Sequence, residues 1–189
     1  MRKLLVAACL ATASLSAAAL ELQGVKLEDA TKLANTELVL NGAGLRTKFG
    51  IAKVYVAALY LPQKNANADA IINANTPRRI VLSMLRDVES EKLHDSLMDG
   101  LKDNTSESEL AALQPKIREM NAIFSSVKEV NKGDVVTLDF LPGKGTQISL
   151  KGQLKDVIGG DDFAKAMLKI WLGKNAVSND LKAGLLGSK

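Results

Sequence analysis

Residues 51 to 61 read Ile-Ala-Lys-Val-Tyr-Val-Ala-Ala-Leu-Tyr-Leu and stop at Pro62. On the two-residue period of a strand, Val54, Val56, Ala58 and Tyr60 share one face, and Lys53, Tyr55, Ala57, Leu59 and Leu61 share the other. Both faces are largely apolar. A strand of this kind is stable only at the centre of a sheet with a covering layer on each side, so it dictates a layered fold around a sheet.

The segments around it supply the layers. Thr36 to Leu40 reads as a strand running into Asn41-Gly42, a strong turn signal, and Gly42 and Gly44 read as the freedom needed at a tight connection between strands. Arg79 to Leu85 is a further strand, after a short helical stretch around Ala68 to Ile72. The period then changes to the helical one. Leu93, Leu97 and Leu101 place an apolar stripe on a helix from Ser90 to Asn104. Ser106 and Glu109 form a capping box for one amphipathic helix running to Val127 and bent at Pro115. Val135 to Phe140 and Gln147 to Leu150 predict an antiparallel hairpin around Pro142 to Gly145. Phe163, Met167, Ile170 and Trp171 share a helical face, with Asp161 or Asp162 as N-cap and Gly173 as C-cap. Ser178 is placed to cap a last short helix carrying Leu181 and Leu185. Strands, then helices, then a hairpin and helices again predict an α+β fold and not a parallel βαβ array.

The N-terminus has the pattern of a secretory signal peptide. Met1-Arg2-Lys3 precedes a small-residue apolar run from Leu4 to Leu15, and Ala17-Ala18-Ala19 fits a cleavage site before Leu20. The run is too short for a bilayer core, which needs roughly 20 apolar residues. The expectation is export to the periplasm, with residues 1–19 removed, a single domain over residues 20–189 and no transmembrane segment in the mature chain. Lipoprotein anchoring through Cys9 is the alternative processing route. Without Arg2 and Lys3 the chain carries 23 basic against 21 acidic residues, so nucleic acid is not an expected partner.

Several chemistries are excluded by residue type. His94 is the single histidine and Cys9 the single cysteine, so no zinc set is expected, and Asp161 and Asp162 read as helix-start residues and not as metal ligands. No Gly-x-Ser-x-Gly elbow accompanies His94. Gly42-Ala43-Gly44 does not extend to a nucleotide fingerprint, because Thr47 stands where the third glycine is required. No cofactor is implied.

Leu40-Asn41-Gly42-Ala43-Gly44-Leu45-Arg46, followed by Lys53 to Pro62, resembles the N-terminal signature of the chalcone isomerase-like family. Trp171-Leu172-Gly173, Val177-Ser178 and Leu185-Leu186-Gly187 resemble its C-terminal pattern. The resemblance implies an open-faced β-sandwich, in which a large antiparallel sheet is layered against helices and a ligand cleft lies between them. The family's plant enzymes cyclise chalcones, a reaction that uses a cation to hold a phenolate and hydroxyl groups that polarise a ketone. Arg46 matches the cationic arginine, whereas Tyr55 stands for a catalytic threonine, Glu89 for a tyrosine and Ser96 for an asparagine. Ser178 is a further candidate cleft position.

Arg46 paired with Tyr55 resembles instead the family's fatty-acid-binding members. The leading expectation is a non-catalytic periplasmic binder that holds the carboxylate of a fatty acid, or another small apolar ligand, through Arg46 and Tyr55. Two alternatives stand beside it: an isomerase, an intramolecular lyase acting on chalcone or another conjugated ketone, and an envelope structural or assembly partner that binds through the Ser90–Asn104 helix.

Overall fold

The structure is a computed structural model, described here over residues 20–188. The expected signal peptide, its cleavage site and Cys9 lie outside the described residues. In chain order the strands β1 (Leu20–Leu22), β2 (Val25–Leu27), β3 (Ala30–Leu33), β4 (Thr36–Lys48) and β5 (Ala52–Leu61) lead to helix α1 (Ala68–Asn73). Strands β6 (Arg78–Met84) and β7 (Val88–Glu89) precede α2 (Ser90–Asn104), α3 (Glu107–Ala112) and α4 (Gln114–Ser126). Then come β8 (Glu129–Val130), β9 (Val135–Leu141), β10 (Gly145–Leu150) and β11 (Gln153–Ile158), followed by α5 (Asp161–Leu172) and α6 (Asn179–Leu185). This is the mixed α+β architecture that the element order predicts.

Seven strands form one antiparallel sheet in the order β11-β10-β9-β6-β5-β4-β3. Strand β5 lies between β4 and β6, and both its faces are covered, as its two apolar faces require. Tyr55, Ala57, Leu59 and Leu61 face the helices, where the core is closed by Leu101, Met120, Phe163, Trp171 and Leu181. Val56, Ala58 and Tyr60 face the opposite way, onto Leu33, Leu38 and Leu40 and the β1–β2 hairpin through Leu22, Val25 and Leu27.

The Asn41-Gly42 turn is not formed; β4 runs on through it to Lys48. What the pair makes is a β-bulge: Leu40 pairs with Tyr60 and Gly42 with Leu59, leaving Asn41 as the extra residue. Tertiary packing decides this. The Asn41 side chain donates to the Leu185 carbonyl at 2.7 Å and accepts the Asn65 N–H at 2.7 Å, which ties the bulge to α6 and to the segment after β5. The glycines allow a close approach, not a turn. A Cβ on Gly42 would overlap the Gly184 carbonyl, and one on Gly184 would reach 3.0 Å from the Gly44 Cα, so strand and helix meet backbone to backbone.

Two further expectations change. The stretch from Ser106 to Val127 is two helices, α3 and α4, parted at Leu113, because Pro115 falls in the first turn of α4, where its missing N–H costs nothing. The capping box is present, with the Glu109 N–H donating to Ser106 Oγ at 3.2 Å and the Ser106 N–H to Glu109 Oε2 at 2.8 Å. Neither Asp161 nor Asp162 caps α5. Gly160, at φ +99°, holds that position, while Asp161 accepts the Gly143 N–H at 3.3 Å and Asp162 pairs with Lys116.

Candidate functional site

The bulge at Asn41 determines which residues share a face. Because a strand alternates every residue, one extra residue moves everything after it to the other side. Leu38 and Leu40 therefore pack toward the β1–β2 hairpin, while Gly42, Gly44 and Arg46 lie on the helix side. Arg46 is then directly opposite Tyr55 in the β4–β5 register, so the cation and the phenol emerge together.

Two cavities adjoin there. The outer one, about 360 Å³, is lined by Arg46, Lys48, Arg86, Glu89, Lys92 and Glu129 among others. The inner one, about 80 Å³, lies between sheet and helices and is walled by apolar side chains, among them Leu82, Leu138, Leu97, Met120, Phe124 and Met167. Tyr55, Leu93 and Ser96 line both and mark the threshold between them. A charged mouth thus adjoins an apolar interior.

At the threshold Tyr55 is buried, and its hydroxyl accepts the Trp171 Nε1–H at 3.1 Å. Burial pushes the Tyr55 hydroxyl above its ordinary pKa, opposed by the Trp171 hydrogen bond and the Arg46 charge. The phenol is therefore neutral at physiological pH. With Trp171 occupying an acceptor site, its proton remains for an incoming acceptor. Arg46 is part-buried, and its guanidinium donates to the neighbouring Thr47 carbonyl. Among the described residues no carboxylate lies in ion-pair range of Arg46, and a guanidinium without an anion is suited to accept one from a ligand.

Glu89 and Ser96 both line the mouth with Arg46 and Tyr55. The Glu89 carboxylate is exposed and pairs with Lys92 at 2.9 Å, one turn along α2, so its charge is locally offset. Ser178 is not among the residues lining either cavity. Its hydroxyl accepts the Leu181 N–H at 3.3 Å as the N-cap of α6, and its neighbour Val177 reaches the inner wall. Sequence reasoning missed Trp171 as a functional group and the cations Lys48, Arg86 and Lys92. A lone tryptophan on an apolar helical face gives no signal beyond core packing, and cations at three separate places join one rim only in three dimensions.

His94 lines neither of these two cavities. Its Nε2 lies 2.7 Å from Asn121 Oδ1, and its ring meets Phe124 edge-on with centroids 5.4 Å apart. Among the described residues no helix is long and apolar enough to cross a membrane.

Comparison with known proteins places this geometry in context. A family model described as chalcone isomerase-like matches residues 19–187. No curated protein sequence matches. Among solved structures, the crystal structure of an Arabidopsis thaliana fatty-acid binding protein superposes with a TM-score of 0.69 at 13% sequence identity, covering 87% of this chain and 93% of that one. At that identity the likeness is one of fold: the same layering of a curled antiparallel sheet against helices.

Proposed function

The chain belongs to the chalcone isomerase-like family, and we propose that it is a non-catalytic binder of a fatty acid or a similar apolar carboxylate. The carboxylate would accept the Arg46 guanidinium fork and the Tyr55 hydroxyl, with the hydrocarbon tail entering the inner cavity past Leu93 and Ser96. The observation that carries the reading is the register pairing of Arg46 with Tyr55 where a charged mouth meets an apolar interior. That the Arabidopsis structure of the same fold is a fatty-acid binding protein supports it. The N-terminal pattern of Arg2, Lys3 and the apolar run supports a periplasmic setting for this binding.

The inner cavity, about 80 Å³, is smaller than the roughly 150 Å³ that accommodates a benzene ring. A long acyl chain therefore has to widen it, and the walls are built for that. Met120 and Met167 are unbranched and adaptable, and Leu93 and Leu97 lie on a half-buried face of α2. Isomerase chemistry fits less well, since it develops negative charge where Glu89 contributes a carboxylate and where Tyr55 replaces a threonine.

Native mass spectrometry of protein purified from its own envelope, followed by titration with fatty acids, tests the reading. Arg46→Ala is expected to weaken binding by about 10- to 100-fold, the worth of a charge-assisted hydrogen bond, and to leave the melting temperature unchanged. Equal binding by both proteins would remove Arg46 from the mechanism. Turnover of chalcone above the uncatalysed rate would replace the binder with an enzyme.

A further inference from the structure

The hairpin between β4 and β5 ends in Lys48-Phe49-Gly50-Ile51. The Ile51 N–H donates to the Lys48 carbonyl at 3.3 Å, and the two central residues, Phe49 and Gly50, have φ +54° and +70°. Positive φ at both central positions is the requirement of a type I′ turn, whose first central residue is ordinarily Asn, Asp or Gly. A phenylalanine there is backbone-strained. Its side chain gains almost no burial in return, because Phe49 is 88% and Ile51 87% exposed, the two most exposed of the large apolar side chains described. The tip stands clear of the body: nothing lies within 4 Å of where a Gly50 Cβ would be. Two apolar side chains held in water on a strained turn point to an environment that the isolated chain lacks.

The charge around them identifies that environment. Residues 46–53 carry Arg46, Lys48 and Lys53 and no acidic residue. The Lys48 ammonium lies 5.5 Å from the Phe49 ring centroid, so cation and ring are presented together. Phe49 also lines the mouth, beside Arg86 and Lys92. The rim sets the cations Arg46, Lys48, Arg86 and Lys92 against the carboxylates of Asp87, Glu89 and Glu129; Glu89 is paired with Lys92, and Asp87 accepts the Lys132 N–H at 2.7 Å.

We propose that the β4–β5 hairpin tip docks onto an anionic lipid bilayer, inserting Phe49 and Ile51 at the level of the headgroups while Lys48 and Lys53 meet lipid phosphates. An aromatic and an aliphatic side chain ringed by cations match the apolar-then-anionic layering of such an interface. Docking by this tip brings the cavity mouth against the lipid surface. Only that last consequence, loading of an acyl ligand directly from the bilayer, rests on the proposed function.

Sedimentation of the mature chain with phosphatidylglycerol vesicles and with phosphatidylcholine vesicles tests the docking. Wild type is expected to bind the anionic vesicles, and to bind them less as salt rises. Phe49→Asn with Ile51→Thr removes the apolar pair while giving the turn its favoured residue, so the variant is expected to melt no lower than wild type, yet to partition about 100-fold more weakly. In Phe49→Trp, the added tryptophan is expected to shift its emission to the blue on anionic vesicles, against the buried Trp171 as a constant background. Failure of wild type to sediment, equal sedimentation of the Asn/Thr variant, or an unshifted spectrum would each overturn the proposal. Capture of a protein partner through the tip with no vesicle binding would overturn it as well. Titration with a soluble short-chain fatty acid separates the two proposals. Absence of that binding in wild type would sink the carboxylate reading while leaving docking intact, and binding by wild type without sedimentation on vesicles would do the reverse.

Discussion

Tyr55→Phe separates two roles that one hydroxyl performs. The substitution keeps the ring and its packing on β5 and removes one oxygen, so the cavity term is small. The oxygen is the acceptor for the Trp171 Nε1–H at 3.1 Å, and both side chains are buried, so the indole N–H is left without its protein partner. An unsatisfied buried donor costs about 1–3 kcal/mol. For a chain of this length a loss of about 2 kcal/mol lowers the melting temperature by roughly 4–8 °C. Urea unfolding followed by circular dichroism, with Trp171 fluorescence as a second probe, measures it. A double-mutant cycle with Trp171→Phe then isolates the pair, since the cost of Tyr55→Phe is expected to shrink once the indole donor is gone. The binding role is read independently, as a drop of about 10-fold in fatty-acid affinity from the lost hydrogen bond to a carboxylate. Arg46→Ala supplies the contrast, because the hydrogen bond found for that guanidinium goes to its own neighbour, Thr47. A stability loss under about 0.5 kcal/mol for Tyr55→Phe, or additivity in the cycle, would refute the reasoning about the buried pair.

Two other outcomes follow from the geometry. Gly42→Ala is expected to destabilise by about 3 kcal/mol, the upper range for overpacking, because the new methyl meets the backbone of α6, with the Leu185 carbonyl at 2.8 Å, and not a side chain that could turn aside; a chemical melt unchanged from wild type would contradict the close-approach account of this glycine. Asp162→Asn is expected to flatten the acid limb of the stability curve: the hydrogen bond from Lys116 holds the Asp162 carboxyl below its ordinary 3.8, so its contribution is present above that value and is lost as pH falls through the depressed one. Stability measured from pH 5 downward checks it, and parallel curves for the two proteins would contradict it.

Legibility differed element by element. Helix α2 was readable to its end residues, because Leu93, Leu97 and Leu101 repeat on one side of a long segment and only a helix buries that pattern. The Ser106–Glu109 box was readable because both partners are local. Strand β11 was not, since Gln153 to Val157 are all exposed and Leu154 and Val157 face water, so no alternation of apolar and polar residues exists to be read. The Asn41-Gly42 pair was misread for the converse reason: its local chemistry favours a turn, and it was overridden by α6, some 140 residues further along the chain.

The candidate site divides along the same line. Arg46 and Tyr55 were identifiable as a pair from their positions in a family motif, and β5 as a two-faced central strand from its apolar alternation, since both are properties of contiguous residues. Whether the two side chains emerge on the same side was settled by one bulge. Asn41, held by the Leu185 carbonyl and the Asn65 N–H, shifts the parity of β4 and turns Arg46 toward the helices. The gathering of Lys48, Arg86 and Lys92 at one rim, and the Trp171 hydrogen bond that leaves the Tyr55 proton free to be donated, likewise depend on contacts between distant segments. Local sequence specifies which element a segment forms, because hydrophobic period and caps act within a few residues. The face on which a functional group appears is set by long-range packing, because one inserted residue reverses it at no cost to the strand's own pattern.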